Sequence, residues 1–308
     1  MTLAKPASAA WVLRVAGVFF LLAPMVAAGQ GQKPADPVSA PDAHPGPVSS
    51  SAPIPGIRQL MLDVVAHQKA LEKVRENYTY RSVFTDEEID SSGQVKKTET
   101  EEREVFYVNT HRIERTVKKN GKPLGDHEQA KEQERVNKLV EKAENTAPGE
   151  PIDDRETVSI TKMLDIMEAH NPRREMYRGR PTILFDFNGR RDAKTHGVAE
   201  DASKKIAGTL WVDERDRQVA HMEAHFTDNF RVGGGLVASV QKGSSFYFDQ
   251  APVNGEIWFP SGAEGHVEAR VLLLKGVRQH FVERDSDYQR FTVEAETSKT
   301  ATVVTEPK

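Results

Sequence analysis

The chain has 308 residues, no cysteine, 42 basic and 46 acidic side chains, and a formal net charge of −4. The missing thiols exclude disulfides, a thiolate nucleophile, cysteine-ligated zinc and the lipid-modified cysteine that anchors bacterial lipoproteins. A mildly acidic balance without a block of Lys and Arg argues against nucleic-acid binding.

Lys5 and Arg14 are the only charges before Lys33, and an apolar run from Val15 to Ala28 follows them. A positive leader, a short apolar core and the small residues Val26 and Ala28 form the pattern of a cleavable secretory signal over residues 1–28, cut before Gly29 or one residue further on. The competing reading is an uncleaved anchor. A spanning helix needs about 20 apolar residues, and this run is shorter and carries Pro24. Export of a cysteine-free chain implies the periplasm of a bacterial envelope, where the mature protein would be soluble with no stable transmembrane segment. Removing the two positive charges of the leader takes the formal charge from −4 to −6.

Residues 29–56 form a linker rich in Pro, Ala, Ser and Gly, with Pro34, Pro37, Pro41, Pro45, Pro47, Pro53 and Pro55. Such a stretch has too little apolar surface to offset the entropy of ordering. The polar residues 296–308 are expected to be a flexible tail. Residues 57–295 remain as one large domain.

Ile57 to Glu76 reads as an amphipathic helix, with Ile57, Leu60, Met61, Val64, Val65, Leu71 and Val74 at spacings of three and four. Tyr78, Tyr80 and Phe84 then alternate into a strand, and Asp90 to Gly93 makes a turn into a return strand, Val95 to Val108. A third strand, Arg112 to Lys118, ends at the turn signal Asn120-Gly121. A helical insertion over 126–170 follows. Its first helix, Asp126 to Asn145, is highly charged and has a thin apolar stripe of Ala130, Val136, Leu139, Val140 and Ala143. Its second, Ile160 to Ala169, is more apolar through Met163, Leu164, Ile166 and Met167.

Past Pro172 the pattern is β: Thr182 to Asn188, a hairpin of Gly208–Asp213 and Gln218–Phe226, Ser245–Asp249, the Asn254-Gly255 turn into Ile257–Pro260, Val267–Leu274, Gln279–Glu283 and Tyr288–Glu294. The predicted class is α+β: a strongly curled antiparallel sheet of about ten strands, an unclosed β-barrel, with the N-terminal helix and the helical insertion on its concave face.

Three features resemble the bacterial outer-membrane lipoprotein-sorting superfamily, the lipoprotein carriers of the LolA/LolB type. The amphipathic helix runs into an aromatic strand over Leu60 to Phe84. The unit Gly208-Thr-Leu-Trp-Val-Asp213 is followed by Gln218-Val-Ala-His-Met-Glu223. The closing run is Gly255-Glu-Ile-Trp-Phe-Pro260, a long strand, then Asp287-Tyr-Gln-Arg-Phe291. The resemblance spans residues 57–295 through short motifs. It implies an unclosed barrel whose apolar concave face, capped by helices, shelters acyl chains. The chain departs from the carriers in its greater length, its linker and its charged insertion, and its motifs do not assign the carriers' lid-contacting arginine to a particular arginine.

The clearest candidates for metal chemistry are His221, Glu223 and His225, which share one face of a strand and could converge on a cation. The alternation with Ala220, Met222, Ala224 and Phe226 equally fits histidines on the polar side of a half-buried strand. Asp285 with Asp287, and Asp213 with Asp216, lack the further oxygen ligands of a calcium loop. Gly233 to Gly235 lacks the Lys-Ser/Thr of a phosphate loop, no serine sits in a nucleophile elbow, and His196 lies near Asp192 and Asp201 in a polar loop. No cofactor signature and no catalytic constellation emerge, so a non-enzymatic role is expected.

The remaining candidates are apolar. Ile183, Phe185, Phe187, Leu210, Val212, Met222 and Phe226 share a face if adjacent strands pair, either as packed core or as the lining of a lipid cavity. The expectation is a periplasmic carrier of a hydrophobic or lipid-bearing ligand. The alternative is an envelope scaffold with a filled core that meets a protein partner through its charged helix.

Overall fold

The computed structural model describes residues 52–148, 150, 152, 158, 160–232, 238–255, 257–271 and 275–291; the leader, most of the linker, Gly233 to Gly235 and the tail lie outside them. The helices are α1 (Ile57–Ala70), α2 (Glu72–Arg75), α3 (Asp126–Glu144), α4 (Ile160–Ile166) and α5 (Gly197–Ser203). The strands are β1 (Tyr78–Ile89), β2 (Val95–Val108), β3 (His111–Lys119), β4 (Lys122–Pro123), β5 (Met167–Tyr177), β6 (Arg180–Gly189) and β7 (Ile206–Asp213), continuing with β8 (Val219–Phe226), β9 (Phe230–Val232), β10 (Ala238–Val240), β11 (Ser245–Val253), β12 (Ile257–Val271) and β13 (Lys275–Arg290).

All thirteen strands join one antiparallel sheet in the order β4-β3-β2-β1-β13-β12-β11-β8-β7-β6-β5, with β10 pairing β12 and β9. The sheet is unclosed, and with a few helices it forms an α+β fold. Tight hairpins build it: Asn120 and Gly121 have φ of 49° and 75°, and Asn254 and Gly255 have 54° and 72°. Those are left-handed values that Asn-Gly tolerates; the first pair forms the two-residue turn between Lys119 and Lys122, and the second opens the longer connection between Val253 and Ile257.

Three expectations change. The second insertion helix stops at Ile166, and Met167 to Ala169 begin β5. Pro172 then sits at a register shift in this edge strand, where a missing N–H leaves no central ladder bond unmade. The stretches expected as four closing strands are two long ones, β12 and β13, each bent by a bulge. A sequence scan sees such a bulge as a break in alternation. Residues 197–203, expected as loop, form α5.

The main core covers one face of β6, β7, β8, β11, β12 and β13. Leu60, Met61 and Val64 of α1 pack there with Ile183, Phe185, Leu210, Met222, Phe248 and Phe281, and Ile160, Met163 and Leu164 close it from α4. One cross-strand row reads Phe187, Gly208, Ala224, Phe246, Gly265, Phe281. The glycines admit the rings: a Cβ on Gly265 would lie 2.4 Å from Phe281 Cζ, and one on Gly208 2.8 Å from Phe187 Cζ. On the same face Tyr78, Tyr80, Tyr107 and Phe259 form an aromatic cluster beside α2.

The insertion was expected on the face that α1 covers, and it divides instead. Arg112 points to Tyr80 and Glu283 on the α1 side, so its neighbour Ile113 points the other way. There Val136 and Ala143 of α3 bury Ile113, with Phe106, Val108, Leu139 and Val140 around them. The thin stripe of α3 fits these outward positions of β2 and β3, while α4 joins α1.

Candidate functional site

The seven apolar candidates do lie together. Ile183, Phe185, Phe187, Leu210, Val212, Met222 and Phe226 are all in the main core cluster, none more than 6% exposed. Their cover is fastened at its rim by the exposed pair Arg58–Asp165, 3.2 Å apart with side chains 64% and 61% exposed, and by Arg174, a largely buried side chain that donates to the carbonyl of Ala52 at 2.6 Å.

The opposite face carries two polar rows and a third that runs from polar to apolar. The strand register aligns Glu87, His280, His266, Ser245, His225, Ala207 and Asn188 across seven strands. Beside it run Glu264, Tyr247, Glu223, Thr209, Asp186 and His170, then Asp249, His221, Trp211 and Leu184. Small side chains at Ala207, Thr209 and Ser245 leave an open groove of about 580 Å³, walled by His170, Asp186, Glu223, His225, Tyr247, Glu264 and His266.

At one wall of this groove His221 is clamped. Its Nδ1 lies 2.8 Å from Asp249 Oδ1 and its Nε2 3.1 Å from Glu223 Oε1. Tyr177 stacks on the ring at 4.9 Å and donates its hydroxyl to Asp249 at 2.5 Å, and Arg178 donates to the other oxygen at 2.8 Å. Tyr177 and Asp249 are four sheet positions apart. Flat strands at about 4.8 Å each would separate them by about 19 Å, beyond a tyrosine's reach, so the end of the β5–β6 hairpin folds over this face. Burial disfavours charge on His221, but the two carboxylates outweigh it and hold the imidazole above the usual histidine value. Burial likewise pushes Asp249 up, and His221, Tyr177 and Arg178 together bring it below the usual carboxylate range.

Farther along, His266 and His280 are direct cross-strand partners whose rings stack at 4.3 Å. His280 Nδ1 lies 2.9 Å from Glu87 Oε2 and its Nε2 3.0 Å from Glu264 Oε1. Tyr247 donates to the other oxygen of Glu264 at 2.8 Å. Burial opposes charge on His280, yet Glu87 and Glu264 raise its pKa; burial, helped by the nearby His280, lowers that of His266.

Of the three residues singled out for metal chemistry, His221 and Glu223 meet at 3.1 Å, and His225 lines the groove without bringing a third ligand atom to them. Among the described residues, the triplet of His and acidic groups whose ligand atoms lie within 4.8 Å of one another is Glu264, His266 and His280. Sequence reading missed this triplet; the spacing of two between Glu264 and His266 on one strand is its only local signal. Nothing local connects them to His280 and Glu87, which the register of β12, β13 and β1 supplies. Asp213 caps its own turn through the N–H groups of Arg215 and Asp216 and pairs with Arg180. Asp285 is half-buried, and desolvation together with Glu283 raises its pKa well above the usual value. Glu200 accepts from the His196 N–H, and Asp201 from Thr195, so no catalytic pairing forms at that loop.

No helix of the described residues is long and apolar enough to cross a membrane. No known family model matches the sequence, and no curated protein matches it at a significant level.

Proposed function

We propose that the protein is an exported, non-enzymatic binding protein of the lipoprotein-carrier type, working in the periplasm and receiving an acyl chain or similar apolar group on the sheet face beneath α1 and α4. One observation carries this reading. The apolar face spans six strands, while its cover is one 14-residue helix and two helices of 7 residues. Between α1 and α4 the cover is held at its rim by the exposed pair Arg58–Asp165, worth about 0–1 kcal/mol. Lifting α1 uncovers mainly Leu60, Met61 and Val64, a cost of about 5–9 kcal/mol at 1.5–3 kcal/mol per side chain. An acyl chain of about fourteen methylenes returns about 11 kcal/mol at 0.8 kcal/mol each. The exchange is thus favourable for a long chain and unfavourable for a short one. Purification under native conditions, lipid extraction and mass spectrometry test it: a stoichiometric long-chain lipid supports the reading, and a lipid-free preparation that also refuses added long-chain lipid defeats it.

A second reading keeps the core filled and makes the protein an envelope scaffold. The burial of all seven candidate residues favours it. So does α3, where only Val136 and Ala143 are buried and Glu134 and Lys138 are 67% and 69% exposed. Charge reversal at Glu134 and Lys138 separates the two: a scaffold loses its envelope partner in pull-downs, and a carrier keeps its lipid.

A further inference from the structure

We propose that Glu264, His266 and His280 form a binding site for a borderline-soft divalent cation, Zn²⁺ foremost, at the wall of the polar groove. The inference is independent of the apolar face, which lies on the other side of the sheet.

Two imidazoles and one carboxylate are the donor set of open zinc and related transition-metal sites, whereas Ca²⁺ and Mg²⁺ favour shells of oxygen alone. The backbone pre-positions all three donors. Glu264 and His266 are two residues apart on β12 and so share a face, and His280 stands directly across from His266 on β13. The ligand atoms all lie within 4.8 Å of one another. In a tetrahedral site with bonds of about 2.0–2.1 Å, ligand atoms sit about 3.3 Å apart. The 3.0 Å between His280 Nε2 and Glu264 Oε1 is already close to that spacing. His266, exposed and stacked on His280, needs only a small side-chain rotation to complete the set.

The surroundings supply the outer support that metal ligands require. Glu87 holds Nδ1 of His280 at 2.9 Å, which fixes the ring and directs Nε2 toward Glu264. Tyr247 and Arg284 both donate to Glu264 Oε2, at 2.8 and 3.4 Å, which directs Oε1 to the same point. Glu264 and His266 line the groove, so the fourth coordination position opens onto it, where water or an anionic ligand can enter.

The test uses the full chain without a polyhistidine tag, stripped with EDTA and dialysed. Titration calorimetry with ZnCl₂ is expected to show one saturable site of micromolar or tighter affinity. Co²⁺ should give visible absorption bands of a four- or five-coordinate nitrogen–oxygen site. His266→Ala, at an exposed position, should weaken Zn²⁺ at least tenfold with an unchanged circular dichroism spectrum, and His280→Gln should do the same. Glu87→Gln should weaken it by about tenfold, the usual effect of losing an outer-shell carboxylate. His225→Ala and His170→Ala, at neighbouring groove histidines, should stay within about twofold. Absence of a saturable site, or equal losses in the His225 and His170 variants, overturns the proposal.

Discussion

Replacing His221 by glutamine should destabilise the protein in a pH-dependent way. The ring is 9% exposed and lies between Asp249, also 9% exposed, and Glu223. A buried hydrogen bond to a charged partner contributes about 1.5–3 kcal/mol, and a neutral amide in its place retains about 1 kcal/mol. The contact with Glu223, whose side chain is 60% exposed, adds little. The charge-dependent loss is therefore about 0.5–2 kcal/mol, on top of the pH-independent loss of stacking on Tyr177 and of the edge contact with Trp211. The pKa of His221 is raised on folding. Its contribution is accordingly complete below the unfolded value of about 6.5 and fades as pH rises through the higher folded value. Asp249 is shifted down, so its own contribution persists above about 3.9 and disappears only in acid. For a domain of this size 1 kcal/mol moves Tm by about 2–4 °C. Thermal scans of wild type and His221→Gln should differ by about 1–8 °C more at pH 6 than at pH 9. An equal deficit at both pH values, or a larger one at pH 9, would show that His221 is not held as an imidazolium.

Three other outcomes follow from the packing. Gly265→Ala should cost about 1–3 kcal/mol in denaturant unfolding, because Phe281, 1% exposed, cannot retreat; Gly276→Ala, with nothing within 4 Å, should stay within about 0.5 kcal/mol. Ile113→Ala, fully buried beneath α3, should cost about 2–5 kcal/mol and speed amide exchange in α3 ahead of β6 to β8. Arg58→Ala should change stability by less than about 1 kcal/mol, since both partners of its ion pair are largely exposed.

The parts of the fold that sequence made legible are those where local chemistry decides. The stripe of Leu60, Met61 and Val64 marked α1 and its buried face, and the two Asn-Gly pairs marked hairpins that only left-handed residues can turn. Bulges hid the continuity of β12 and β13, because one extra residue inverts the alternation. The side of the sheet that α3 takes was equally hidden. It depends on which of Arg112 and Ile113 faces Tyr80, and that is settled only by pairing across three strands. The polar site escaped for the same reason. His221, Glu223 and His225 stood out because they alternate within one strand, yet the group that engages His221 Nδ1 is Asp249 on the neighbouring strand. Glu87 and His280 are 193 residues apart in sequence and 2.9 Å apart in space.

The carrier reading rests on α1 giving way to a long acyl chain, and amide exchange measures that directly. The full chain is titrated with a peptide bearing a sixteen-carbon acyl chain, and exchange is followed by mass spectrometry with and without it. Saturable binding is expected, with faster exchange across Ile57–Ala70 as α1 lifts and unchanged or slower exchange in β6 to β8. No saturable binding, or binding that leaves the exchange of α1 unchanged, would contradict it.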